Sequence, residues 1–171
     1  GDLALDTVTL TITGAEQTLG GAVEVKDSAI LKFDKDTAIL KLTGTSADTA
    51  SFGNIEGNTL TIEDGDATTA GTQTVTIKNS KAGTLNLNVD STLTGTMKAD
   101  NFTVGAGATV VMGSSAEIGT TKSGTGNTNV TVNGTLETNA TNKTWGNLSD
   151  IINAMTGESC LVTAYPTQYR G

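Results

Sequence analysis

Chemistry in this chain could begin at two short acidic clusters. Asp34 and Asp36 flank a lysine in DKD, and Glu63, Asp64 and Asp66 crowd the segment EDGD. Asp34, Asp36, Asp64 and Asp66 offer the oxygen ligands that calcium takes, yet their spacing matches neither the EF-hand loop nor the calcium-binding repeat of β-helices. The competing reading is a pair of solvated turns. Paired carboxylates also drive glycoside hydrolysis, but polysaccharide-acting enzymes line a groove with aromatic and basic side chains. Here residues 1–144 contain only Phe33, Phe52 and Phe102 as aromatics. The chain has no histidine, which removes Ser-His-Asp and Cys-His catalysis and ordinary zinc sites. Cys160 sits alone in the apolar run CLVTAY. It reads as a small buried hydrophobe, with a reactive or intermolecular thiol as the alternative. The glycine-rich GAGATVVMG has no phosphate-loop signature. The expectation is a protein without catalytic residues or a cofactor, with those four aspartates as the only candidate metal ligands.

Short runs in which apolar and polar residues alternate must position whatever function exists. They include LALDTVTLTI (3–12), AVEV (22–25), AILKF (29–33), AILKL (38–42), NTLTIE (58–63), QTVTIK (73–78) and TLNLNV (84–89). TLTGTMK (92–98), NFTV (101–104), TVVM (109–112), NVTV (129–132) and TLET (135–138) follow. Period-two alternation places Leu85, Leu87 and Val89 on one side of a strand and Thr84, Asn86 and Asn88 on the other. Between the runs, EDGD, NSKAG, VDST, GAGA, GSS, SGTGN and VNGT read as turns.

This rhythm fits a β-solenoid, a sandwich or a barrel. Hydrophobic residues make up 36 % of the chain and aromatics 4 %, below the roughly 45–50 % apolar content of an ordinary globular domain. A slim core filled by aliphatics and Thr suits a solenoid; a sandwich of this length wants larger anchors and longer strands. The 34 threonines among 171 residues favour pleated, half-buried surfaces over disorder. The predicted fold is an all-β solenoid over residues 1–142, with a β-sandwich as the alternative.

The net charge of −8 lies wholly in residues 1–66, where twelve acidic residues face four lysines. That balance argues against nucleic-acid partners. No apolar run approaches the roughly 18 residues of a membrane-spanning helix. Gly1 in place of Met is read as the mark of a removed leader or a trimmed start. Six N-x-[ST] sequons fall between Asn101 and Asn147, as chance alone produces in so Asn- and Thr-rich a chain.

Composition changes after Asn142. Leu148, Ile151, Ile152 and Met155 lie on one helical face, which predicts a helix over about 148–155. Asn147 serves as its N-cap and Gly157 as its stop. With the strand CLVTAY behind it, segment 143–171 is expected to cap the open end of the solenoid or to dock another subunit.

The stretch AGTLNLNVDSTLTGTMKADNFTVGAGATVVMGSSAEIG, followed by VTVNGTLETNAT, resembles the passenger regions of bacterial autotransporters and related secreted β-helical adhesins. The likeness covers roughly 58–140 well and 1–57 loosely, and it lies in composition and rhythm. It implies a right-handed parallel β-helix at the bacterial cell surface or secreted from it. The implied role is structural or adhesive, toward glycans or proteins of a host or neighbouring cell, or toward further copies of the chain. The chain is shorter than such passengers and carries no translocator barrel, so a self-assembling surface fibre subunit is a close neighbour of this reading. A polysaccharide-acting β-helix enzyme is a second alternative. Ice binding is a third, prompted by Thr-x-Thr at 7–13, 59–61, 74–76 and 92–96.

Overall fold

The computed structural model describes residues 1–65, 73–113, 115–119, 121 and 128–138. The predicted helix at 148–155, the strand at 160–165, Cys160 and Asp66 lie outside the described residues, as does the whole segment 143–171.

Fifteen strands carry the described chain: β1 Leu3–Leu5, β2 Thr9–Ile12, β3 Glu16–Leu19, β4 Val23–Val25, β5 Ile30–Phe33, β6 Thr37–Leu42, β7 Thr49–Glu56 and β8 Thr59–Asp64, then β9 Thr74–Asn88, β10 Ser91–Leu93, β11 Thr96–Val104, β12 Thr109–Met112, β13 Glu117–Gly119, β14 Asn129–Val132 and β15 Thr135–Thr138. Every pairing among them is parallel. The fold is therefore a parallel β-solenoid. The β-sandwich alternative falls, because sandwiches are built from antiparallel neighbours.

Three faces wind around one core. Face one stacks β1, β4, the first half of β7, the start of β9, β10, β12 and β15. Face two stacks β2, β5, the end of β7, the middle of β9, the start of β11 and β13. Face three stacks β3, β6, β8, the end of β9, the end of β11 and β14. Alternation sends every second residue inward, and parallel register turns those residues into vertical ladders of like side chains. Val25, Phe52, Ile77, Leu93 and Met112 form one; Leu40, Ile62, Leu87, Val104 and Val132 form another; all are buried. Full burial of each such side chain contributes about 1.5–3 kcal/mol. In the first coil Leu3, Leu10, Ile12 and Leu19 are only partly buried, since each has a stacked neighbour on one side only among the described residues.

Successive coils differ in length. Val23 pairs with Ala50, Ala50 with Val75 and Val75 with Ser91, so the repeat shrinks and grows at the corners and leaves no fixed sequence period. The corners also revise the expected strand limits. LALDTVTLTI breaks at Asp6–Val8 into β1 and β2, and TLTGTMK breaks at Thr94–Gly95 into β10 and β11. NSKAG, expected as a turn, instead continues β9 across face two, because Asn54, Ile55 and Glu56 below and Met97, Lys98 and Ala99 above complete its ladder. EQTL (β3), TASFGNIE (β7) and EIG (β13) are strands that the alternation pattern did not single out.

Corner geometry is held by asparagine and glycine. Asn54 Nδ2 donates to the carbonyls of Asp27 and Ala29, and Asn79 Nδ2 donates to that of Gly53 at 3.1 Å while its Oδ1 accepts from the Thr96 N–H at 3.3 Å. These side chains tie successive coils together where the backbone turns out of the ladder. A Cβ at Gly53 would lie 2.6 Å from the Lys26 carbonyl carbon and 2.7 Å from Asp27 N, so only glycine lets these two coils approach.

Candidate functional surfaces

The outward half of each ladder is what the solenoid presents to a partner. On face three, register places Thr37, Thr59, Thr84, Asn101 and Asn129 in one column. Ile39, Thr61, Asn86, Thr103 and Thr131 stand in the next column along the strands. Layers in a sheet are about 4.8 Å apart and same-side residues about 6.6 Å apart along a strand, so from Thr59 and Thr61 onward, past Ile39, the two columns form a nearly rectangular grid of small polar groups. Hydrogen bonds run up it: Asn86 Nδ2 donates to Thr61 Oγ1 at 3.1 Å, Asn101 Nδ2 to Thr84 Oγ1 at 3.3 Å, and Asn129 Nδ2 to Asn101 Oδ1 at 3.1 Å. The bonds fix rotamers before any partner arrives, which lowers the ordering cost of contact. Face one carries a second hydroxyl column, with Ser51, Thr76 and Thr92 in register.

A charged column borders the grid. Lys41 Nζ lies 2.9 Å from Glu16 and 3.9 Å from Glu63 across three coils, and the hydrogen bond to Glu16 holds the ammonium above its ordinary pKa. At the corner of faces one and two, Lys26 pairs with Asp6 and Lys78 with Asp27. The bond to Asp6 raises the Lys26 pKa in the same way. Asp48 accepts from the Thr45 N–H at 2.7 Å and from the Thr45 hydroxyl at 2.9 Å, and these two bonds hold its carboxyl below the usual value.

The calcium candidates do not converge. Asp34 and Asp36 occupy the corner between β5 and β6, where Asn58 Nδ2 reaches Asp36 Oδ1 at 3.5 Å. Asp64 ends β8, opposite Leu42. Thr37 to Leu42 spans the width of face three, about 16 Å at the strand rise, and that width separates Asp36 from Asp64. No group of three or more His, Cys, Asp or Glu side chains converges among the described residues. No helix among them is long and apolar enough to cross a membrane.

Of the Thr-x-Thr stretches in the sequence, 59–61 lies on the face-three grid while 74–76 and Thr92 lie on face one, and the Asn columns were not announced at all, because which residues stand above one another depends on corner lengths. Comparison of the chain with protein-family models, with curated proteins and with solved structures gave no match.

Proposed function

We propose that the chain is a non-catalytic structural or adhesive module, secreted or displayed at a bacterial cell surface, in the manner of the autotransporter passengers its rhythm resembles. The observation that carries this reading is the face-three grid, in which Thr and Asn stand in two columns through successive coils. A rigid array of small neutral groups suits extended contact with surface glycans or proteins. Each contact is weak, and the array multiplies them by presenting all of them at once.

Beads coated with the purified chain, passed over immobilised neutral glycans and matrix proteins, test this. Retention above albumin-coated beads is expected on at least one surface. The double variant Thr61→Lys, Thr103→Lys should lose it by placing two charges in the middle of the grid. Retention equal to albumin throughout, or unaltered in the variant, refutes the reading.

The same grid favours a second reading, ordered water and ice binding, since flat rows of hydroxyls at a fixed repeat template water. Thermal hysteresis in the native chain that disappears in the same double variant would move the assignment there.

A further inference from the structure

Seven lysines fall within the described residues: Lys26, Lys32, Lys35, Lys41, Lys78, Lys81 and Lys98. Lys26, Lys41 and Lys78 each reach a carboxylate. Lys32, Lys35, Lys81 and Lys98 make no ion pair among the described residues, although the chain carries a net charge of −8. All four line one trough. Lys32, Glu56, Lys81 and Lys98 are successive register partners on face two. Lys32, Asp34, Lys35, Glu56, Asn58 and Lys81 border a depression of about 280 Å³, so that four lysines outnumber two carboxylates along the trough. Glu56 and Lys81 also border the adjoining depression of about 330 Å³, with Thr96 and Lys98. The two share a wall and run along the solenoid axis. All four ammonium groups belong to exposed residues.

We propose that this trough binds an unbranched uronic-acid polysaccharide laid along the solenoid axis. Lys81 and Lys98 stand on neighbouring layers about 4.8 Å apart and Lys32 two layers from Lys81, a spacing that suits a polymer carrying a carboxylate on each ring. Glu56, between Lys32 and Lys81, accepts from ring hydroxyls. The trough lacks an exposed aromatic on which bases could stack, its Phe33 being 2 % exposed. The lack of a stacking platform, with Glu56 and Asn58 placed to meet ring hydroxyls, therefore favours a polyuronate over a nucleic acid. The site occupies face two and its corner with face three, and includes neither Thr61 nor Thr103, so loss of face-three adhesion leaves it standing.

The test is binding of the full chain to fluorescent alginate oligomers in a chelator, which keeps calcium from cross-linking the polymer. Dextran and single-stranded oligothymidylate are run beside it. Binding to alginate but not dextran is expected at about 0.01 M salt, weakening at about 0.15 M as screening grows. Lys81→Gln with Lys98→Gln should weaken it about tenfold. Lys26→Gln with Lys78→Gln, which changes net charge equally but lies outside the trough, should weaken it far less. Circular dichroism and a urea melt establish that both double variants fold. Failure to bind alginate at low salt, equal loss in the two double variants, or tighter binding of oligothymidylate would each overturn the proposal.

Discussion

Replacing Asn79 by Ala removes one side chain that stitches three coils. Asn79 lies in the middle of β9, donates to Gly53 O at 3.1 Å and accepts from Thr96 N at 3.3 Å. A net intramolecular hydrogen bond between neutral groups contributes about 1 kcal/mol. The bond to Gly53 is near the usual length and counts nearly in full. The bond to Thr96 is stretched past the mode of about 2.9–3.0 Å and counts for roughly half. Both sites are only part-buried, so water takes over some of the stranded groups and the penalty for an unpaired buried polar atom applies only in part. The expected destabilisation is about 1.5 kcal/mol, read as a lowered urea midpoint at unchanged slope. Asn79→Asp discriminates the cause. It keeps an acceptor for Thr96 but sets a carboxylate oxygen against Gly53 O, so near neutral pH it should be no more stable than Ala. Hydrogen exchange at the Thr96 amide should speed up in Asn79→Ala and much less in Asn79→Asp, which keeps the acceptor, reporting the corner locally even where solenoid unfolding is not strictly two-state. An Asn79→Ala protein within about 0.3 kcal/mol of the parent, with Thr96 exchange unchanged, would refute the view that corner asparagines hold the coils in register.

Gly53→Ala should destabilise by about 1–3 kcal/mol through overpacking, because its Cβ would press on the Lys26–Asp27 peptide at 2.6–2.7 Å; a thermal melt checks it. Phe102→Ala, in a fully buried position between Leu85 and Val130, should lose about 3–5 kcal/mol in urea unfolding. Its neighbour Asn101→Ala, on the outward side, should lose under about 1 kcal/mol. Asp48 predicts a pH effect. Its carboxyl titrates below its ordinary value in the fold, so its contribution is present above the unfolded value and vanishes as pH falls through the lowered folded value. The stability gap between the native chain and Asp48→Asn should therefore shrink on acidification from about pH 6 to about pH 3, as denaturant midpoints across that range will show.

Local chemistry in the sequence was enough to establish a β-rich chain with a slim aliphatic core. Alternation at Leu85, Leu87 and Val89 says which side of a strand is buried whatever lies above or below it, because the pleat has a period of two. Short strands, scarce aromatics and the absence of histidine narrowed the fold and the chemistry in the same local way.

Register was not local. Asn86 meets Thr61 across 25 residues and Asn129 meets Asn101 across 28, whereas Asn101 meets Thr84 across 17. These unequal steps are set by corners whose lengths vary from coil to coil, so no period in the sequence announces the columns. NSKAG shows the same limit from the other side. Its residues favour a turn in isolation, and parallel neighbours on both sides draw them into the sheet, placing Asn79 at a corner and Lys81 between Glu56 and Lys98. Residue types and facing follow from the chain alone. The grid on face three and the lysine trough on face two exist only once the coils are stacked, because backbone hydrogen bonds between coils, rather than sequence proximity, decide which side chains become neighbours.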